Sequence, residues 1–284
     1  MKLSGIRLPA PRGVCAPPYL VRVLVLLLVI IAVPILTRLI ENIPITVTQL
    51  AYYLLNGAIL TGFLAWLIPK IRLSRWSLTL LVWLELLVIE FLNNYVEAYF
   101  FTNRFDKATV LIQSVTSALI SSAISATAGA LLLGYGAAGI SASLKEHFST
   151  RTRSSWILRI VVGSVAYFPI YFFFGALITP FVLPYYNNPS LGLRIPSFAV
   201  LISVELFRGF VYALMLLPLL ATIIGGRATK FIALAAMLYI PGGLIALLGN
   251  QLMPAPIVPF HALEILADSI VSGFALSRIL SRRG

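Results

Sequence analysis

Long apolar segments of about 20 residues recur along the chain, separated by clusters of charged and turn-forming residues. Only 11% of the 284 residues are charged and 60% are hydrophobic, whereas a soluble domain averages about 25% charged residues. Because a helix needs roughly 20 apolar residues to cross the hydrocarbon core of a bilayer, each segment is typical of a membrane span. The sequence therefore predicts an all-α, polytopic transmembrane helix bundle and excludes a soluble globular protein.

Eight spans are predicted from these segments. Their boundaries follow charged residues or helix breakers such as Pro44, Pro69 and the loop at residues 184–189. The predicted spans lie at about residues 20–39, 46–68, 77–98, 109–134, 157–182, 197–223, 231–248 and 261–280. They form a single transmembrane domain over residues 20–280, between a basic, proline-rich segment at residues 1–19 and a basic tail at residues 281–284.

The number of spans depends on residues 108–144, which carry no charged side chain and are too long for one span but slightly short for two. With one span there, 16 of the 21 basic residues fall on one side of the membrane, as the positive-inside rule requires of the cytoplasmic side. We therefore expect eight spans in the plasma membrane, with both termini in the cytoplasm. The 16 residues are Lys2, Arg7, Arg12, Arg22, Lys70, Arg72, Arg75, Lys145, Arg151, Arg153, Arg159, Arg227, Lys230, Arg278, Arg282 and Arg283.

The net charge of +12 is accordingly a signal of topology. The basic residues are spread over five short segments without the aromatic and basic platform that is typical of nucleic-acid-binding proteins. We expect them to contact anionic lipids at the cytoplasmic face, and we expect no nucleic-acid partner. The single cysteine, Cys15, excludes an intrachain disulfide and a cysteine-based metal cluster.

The nine acidic residues are distributed in an unusual way, because six of them fall on predicted spans. A charge near the bilayer centre costs about 2.5–3.5 kcal/mol on insertion scales, so these groups must be paired, protonated or hydrated. At a rise of about 1.5 Å per residue, three of them share one depth, each about 10 Å below the outer end of its helix. The six acids are Glu85, Glu90, Glu97, Glu205, Glu264 and Asp268, and the three at one depth are Glu90, Glu205 and Asp268.

Helical spacing predicts one polar face on each of three spans. We expect these faces to converge on a polar, partly hydrated pocket that opens to the outer side, with Arg208 neutralising one or two carboxylates. In the alternative, Glu205 and Arg208 pair along their own helix and the outermost groups lie among lipid headgroups. Glu85 is about 140° away from the Glu90 face of an α-helix and is held apart. The faces comprise Glu90, Asn93, Asn94 and Glu97 on the third span, Glu205, Arg208 and Tyr212 on the sixth, and His261, Glu264 and Asp268 on the eighth.

Three function classes fit such a pocket. A proton- or cation-coupled carrier of a small solute or ion is favoured, because carboxylates inside a membrane exchange protons or cations. No cofactor is predicted for the carrier. An intramembrane metal-dependent hydrolase or protease-like enzyme is the first alternative, in which a divalent cation would be held by His261, Glu264 and Asp268 together with Glu205 or Glu90. An accessory or structural subunit is the second, with the polar faces bound to another membrane protein, a second copy of the chain or a lipid headgroup.

One short stretch resembles a known family. Glu205-Leu206-Phe207-Arg208-Gly209-Phe210 is similar to the first motif of the CAAX-protease and bacteriocin-processing family of intramembrane proteases, in which paired glutamates precede an Arg-Gly. The resemblance covers about six of the 284 residues, and Val204 stands where the family has its second glutamate. It implies that Glu205 and Arg208 are catalytic-site residues, and no family is assigned to the chain on this basis.

Overall fold

The computed structural model describes residues 17–40, 42–105, 107–249 and 253–281. The predicted basic segment up to residue 16, with Cys15, lies outside these residues, as do Glu41, Asp106 and the tail from residue 282. Over the described ranges the chain is all-helical without a strand, and eight of its helices are long and apolar enough to cross a membrane. The prediction of eight helices that are long and apolar enough to cross a membrane is therefore confirmed.

Nine helices are distinguished over these ranges. Eight of them are the candidate spans, and the ninth is a short helix, α5, between the fourth and fifth spans. Their bounds are Tyr19–Ile40 (α1), Val47–Lys70 (α2), Arg75–Phe101 (α3), Ala108–Leu133 (α4), Ile140–Ser149 (α5), Arg153–Tyr186 (α6), Phe198–Thr222 (α7), Arg227–Gly249 (α8) and Ala255–Ile279 (α9).

The uncharged stretch at residues 108–144 is divided between a span and a short helix. The span α4 ends at Leu133, where Gly134 takes an extended conformation, and α5 begins at Ile140. One span in this stretch agrees with the interpretation based on charge. The predicted loop at residues 184–189 starts too early, because α6 runs for 34 residues through Pro169, Pro180 and Pro184 to Tyr186. Proline is tolerated inside membrane helices when neighbouring groups satisfy the freed backbone carbonyls.

The connections between helices meet at two opposite ends of the bundle. The end that contains the α2–α3 connection is called the proximal end, and the opposite one the distal end. At the proximal end, Ile224 N of the α7–α8 connection donates a hydrogen bond to Lys70 O over 2.8 Å. Ser74 N of the α2–α3 connection donates a second to Ala138 O of the α4–α5 connection, also over 2.8 Å. At the distal end, the α3–α4 and α6–α7 connections pair, with Arg194 N donating to Phe101 O over 2.8 Å. The basic residues in and beside the α2–α3 and α7–α8 connections, Lys70, Arg72, Arg75 and Arg227, therefore lie at the proximal end.

Two of the spans contain a π-helical turn, at Leu86–Leu92 in α3 and at Ile240–Leu244 in α8. In α8 the turn includes Pro241, which has no backbone N–H to donate, followed by two glycines. Helix α3 contains neither proline nor glycine, so no helix-breaking residue in the sequence predicted its π turn. The two turns pack against each other, because a Cβ on Gly242 would lie 3.2 Å from Cγ2 of Ile89.

Apolar packing surrounds this pair of turns. Leu64, Leu81, Leu133 and Leu216 belong to one continuous buried cluster that joins α2, α3, α4 and α7. Large apolar side chains such as Phe173 are exposed on the outside of the bundle, where a bilayer would cover them. The fold thus has an apolar exterior and holds its charged residues at its two ends and in its interior.

Glycine allows α8 and α9 to approach closely, and this contact can be tested. A Cβ on Gly273 would lie 2.7 Å from Cα of Ala235, whereas a Cβ on Gly62 would meet nothing within 4 Å. We expect Gly273→Ala to lower the free energy of unfolding by about 1–3 kcal/mol through overpacking. The matched control Gly62→Ala should raise it by about 0.5–1 kcal/mol, because alanine is the better helix former. Denaturation by SDS in mixed micelles measures both, and equal effects would contradict the close approach of α8 and α9.

Candidate functional site

A cavity of about 290 Å³ lies inside the bundle towards its distal end. Its walls come from α2, α3, α6, α7, α8 and α9, and Thr102, Arg104 and Phe105 of the α3–α4 connection lie at its distal margin. Pockets for small ligands in proteins span about 300–1,000 Å³. At about 290 Å³, the cavity lies at the lower limit of this range, a size that suits a small solute or a hydrated ion.

Eight of the ten residues that were predicted to form a pocket line this cavity: Glu90, Asn94, Glu97, Arg208, Tyr212, His261, Glu264 and Asp268. The structure thus brings the three polar faces together, as expected from their shared depth. The other two residues are buried but do not line the cavity. Glu205 lies behind Arg208, and Asn93 is 1% exposed, with no hydrogen-bond partner for its amide among the described residues.

The π turn of α3 explains why Asn93 leaves the predicted face. A π-helix forms i→i+5 hydrogen bonds, so its turn contains about one residue more than an α-helical turn. Glu90 belongs to that turn, and the three-residue step from Glu90 to Asn93 therefore no longer returns to the same face. The regular α-helical spacing of Arg208 and Tyr212 on α7, and of His261, Glu264 and Asp268 on α9, leaves those predictions intact.

Arg208 is the centre of an ion-pair network in one half of the cavity. Its Nη1 donates to both carboxylate oxygens of Glu205, over 3.1 and 3.0 Å, and its Nη2 lies 2.8 Å from Oε2 of Glu97. The Glu205 side chain is fully buried, whereas that of Glu97 is 35% exposed. Arg208 therefore neutralises one carboxylate on its own helix and a second on α3, as predicted.

Two tyrosines of α6 support the same guanidinium group. The Cζ atom of Arg208 lies 5.8 Å from the ring centroid of Tyr167 and 5.7 Å from that of Tyr171. The ring of Tyr167 also contacts that of Tyr212 edge to face, at a centroid distance of 5.0 Å. Arg208 thus ties α3, α6 and α7 together through two carboxylates and two aromatic faces.

His261 and Glu264 form a second polar pair at the distal end of α9. Nδ1 of His261 lies 2.9 Å from Oε2 of Glu264. Glycine on α6 makes room for this pair, because a Cβ on Gly175 would lie 3.3 Å from Oε1 of Glu264. The ring of Tyr186 covers the histidine at a centroid distance of 6.2 Å.

Glu90 and Asp268 differ from these paired groups. Glu90 is 8% exposed, and no described residue forms an ion pair or a hydrogen bond with its carboxylate. Asp268 is 7% exposed, and among the described residues its carboxylate accepts one hydrogen bond, from the hydroxyl of Ser269 over 3.3 Å. Both carboxylates line the cavity, so both are available to a proton or to a cation that enters it.

Sequence reasoning missed the aromatic part of the cavity. Its lining includes five tyrosines that were not predicted: Tyr52, Tyr95, Tyr167, Tyr171 and Tyr186. The spacing of Tyr167 and Tyr171 places them on one face of α6, but tyrosine is also common at the ends of membrane helices, so the pattern alone did not indicate a site. Glu85, which was held apart, does not line the cavity; it is 1% exposed with no hydrogen-bond partner in the described chain for either carboxylate oxygen.

The candidate metal ligands do not form a metal site in this arrangement. Among the residues that the structure describes, no three side chains of histidine, cysteine, aspartate or glutamate are grouped to hold one ion. The Glu205 carboxylate pairs with the Arg208 guanidinium group, and the Glu264 carboxylate lies beside the His261 ring. His261, Glu264 and Asp268 therefore lie as separate groups in the cavity wall formed by α9, and Glu205 lies behind Arg208, outside the lining.

In comparisons with known proteins, the chain matches no family model, no curated protein and no solved structure. Its function is therefore argued from the geometry of the cavity.

The Arg208 network should dominate the stability of this half of the bundle. We expect Arg208→Met to lower the free energy of unfolding by about 3–5 kcal/mol, because the buried Glu205 carboxylate would lose its cation. The double variant Glu205→Leu/Arg208→Met should lose far less, since no buried charge is left unpaired. Unfolding by SDS in mixed micelles provides the comparison, and equal losses in the single and double variants would contradict the network.

Proposed function

We propose that the chain is a multi-pass membrane carrier that moves a small solute or ion, coupled to protons or cations, through the cavity around Glu90 and Asp268. The observation that carries this proposal is the buried carboxylate of Glu90, which lines an interior cavity without a partner among the described residues. An unpaired charge at this depth is costly, so the group favours a bound proton or cation. Exchange between the two is the elementary step of coupled transport.

The π turns support a carrier through their position. Glu90 lies in the π turn of α3, and Gly242 and Gly243 lie in that of α8; all three line the cavity. Carriers commonly place their binding sites at interrupted helices near the middle of the membrane, and π turns occur frequently at functional sites. A rearrangement of these turns would change the cavity wall without unfolding the rest of either helix.

The alternatives receive less support from the same residues. A metal-dependent hydrolase needs a cluster of ligands, and the described acids and histidines form none. An accessory subunit would use its polar faces at a contact with another protein, whereas these faces point into the cavity of a single chain. The carrier thus accounts best for carboxylates that are buried, unpaired and accessible from inside the bundle.

Purified protein in liposomes tests the carrier proposal. We expect an inward proton or sodium gradient to drive uptake of at least one member of a radiolabelled panel of amino acids, sugars and amines. Glu90→Gln and Asp268→Asn should each reduce that uptake at least about tenfold, because they remove the exchangeable charge. Glu146→Gln, on α5 at the proximal end, should leave it unchanged. Unchanged flux in both cavity variants would reject the proposal; peptide cleavage by protein with stoichiometric metal would instead favour the hydrolase.

We further propose that the proximal end faces the cytoplasm of a cell whose plasma membrane holds the protein, so that both termini are cytoplasmic and the cavity opens outwards. The basic residues of the proximal end support this orientation. Anionic lipids would then attract that end, at roughly 1 kcal/mol for each basic side chain near the surface.

Labelling of single cysteines tests the orientation. In a Cys15→Ser background, which has no other cysteine, we expect Ser190→Cys at the distal end to react with a membrane-impermeant maleimide on intact cells. Ser149→Cys, at the end of α5, should react only after permeabilisation; both serines are exposed. The reverse pattern would overturn the proposed orientation.

A further inference from the structure

We propose that the solute of this cavity is a small organic cation of the ammonium class, held between the Glu90 carboxylate and the aromatic rings beside it. This inference rests on the proposed function, because it names the substrate class of the same cavity. Three properties of the cavity lead to it: the surplus of negative charge, the aromatic lining next to Glu90, and the way in which the protein binds its own Arg208.

The charges of the cavity favour a cation. Four carboxylates line it, and Glu205 lies directly behind them. Arg208 pairs with Glu205 and Glu97, and His261 lies beside Glu264, so neither Glu90 nor Asp268 forms an ion pair with a described side chain, although Arg208 lies within electrostatic range of Asp268. Arg104, the other lining arginine, has its Cζ 5.6 Å from the ring centroid of Phe105 and lies within electrostatic range of Tyr52 and Tyr95, but among the described residues it forms no ion pair with Glu90. An anionic solute would therefore meet uncompensated carboxylates.

The aromatic lining favours an organic cation over a bare metal ion. Next to Glu90, the rings of Phe91, Tyr95 and Phe105 form a connected cluster, with centroid distances of 6.1 and 5.4 Å. Tyr52 reaches the same region from α2 and, like Tyr95, lies within electrostatic range of the Glu90 carboxylate. Calcium and magnesium take oxygen ligands in full coordination shells. Aromatic faces instead attract alkylammonium groups through cation–π contacts.

One side chain of the protein, Arg208, is itself an organic cation held by carboxylates and aromatic rings in the same cavity. Arg208 is enclosed by the carboxylates of Glu205 and Glu97 and by the faces of Tyr167 and Tyr171. The Glu90 half of the cavity repeats the combination of carboxylate and aromatic rings, but no described basic side chain pairs with its carboxylate. A ligand with a positively charged nitrogen and a small apolar shell complements that half.

Binding of defined probes to the purified protein tests this inference. We expect tetramethylammonium and choline to bind in isothermal titration calorimetry. The neutral isostere of choline, 3,3-dimethyl-1-butanol, has the same shape without the charge and should bind at least about tenfold more weakly, because it loses both the ion pair and the cation–π contacts. Sodium and potassium chloride at equal concentration should not displace choline.

Substitutions test whether Glu90 and the neighbouring aromatic rings contact the bound ammonium group. Glu90→Gln should weaken choline binding about 100-fold, since the anionic partner is lost. Tyr95→Leu should weaken it about 3- to 30-fold through loss of one ring face, whereas Tyr95→Phe keeps the ring and should change it less than about threefold. Circular dichroism and monodispersity provide the folding control. If Glu90→Gln does not fold, the two Tyr95 variants and the choline isostere still test whether the cavity binds an ammonium group.

The outcomes separate this inference from the carrier proposal. Failure of both ammonium probes to bind, equal affinity for choline and its isostere, or choline binding that is insensitive to Glu90→Gln and Tyr95→Leu would each overturn the inference. Gradient-driven flux of another solute without ammonium binding would overturn the inference while leaving the carrier intact. Ammonium binding that depends on Glu90, without flux of any solute in liposomes, would keep the inference and reject the carrier.

Discussion

A guanidinium group buried in a membrane bundle must be neutralised by the protein itself, and around Arg208 this requirement draws three helices together. The carboxylate of Glu205 comes from the same helix, that of Glu97 from α3, and the rings of Tyr167 and Tyr171 from α6. Each contact is short enough to be a direct bond or a cation–π contact. The mutual positions of α3, α6 and α7, and with them one wall of the cavity, depend on this network.

The opposite wall depends on two irregular helical turns. The π turns of α3 and α8 pack against each other at Ile89 and Gly242. They present Glu90 and the two glycines Gly242 and Gly243 to the cavity beside each other. A π turn leaves the regular hydrogen-bond ladder, so it is a place where a helix can rearrange locally. The cavity thus combines a wall held by ion pairs with a wall built from two π turns.

This combination also distinguishes the function classes. An enzyme needs a fixed constellation of reacting groups, whereas the carboxylates of Glu205 and Glu97 are engaged in ion pairs with Arg208. The groups that remain available to a ligand are Glu90 and Asp268, surrounded by aromatic rings in the interior of the bundle. Such groups bind and release a cation or a proton, and this capacity underlies both the proposed carrier and its proposed ammonium substrate.

Much of the architecture followed from the sequence because the bilayer imposes simple rules. The length of each apolar segment predicted the eight spans, and the pattern of basic residues indicated a single span at residues 108–144, which the structure contains as α4. The i, i+3, i+4 and i+7 spacings predicted the faces of α7 and α9 that line the cavity, because those stretches are regular α-helices. The acids pointed to a site because a charge inside a membrane is costly.

The sequence by itself determined the class of fold, the number of spans and most of the charged residues of the cavity, since these depend on local hydrophobicity and helical period. The tertiary structure alone decided which groups pair. It assigned Glu97 to Arg208, left Glu90 without a partner among the described residues, and added tyrosines from α2 and α6 to the lining. It also introduced the π turn that moved Asn93 off its predicted face. These features depend on contacts between helices that are distant in the sequence, and a helical pattern carries no information about them.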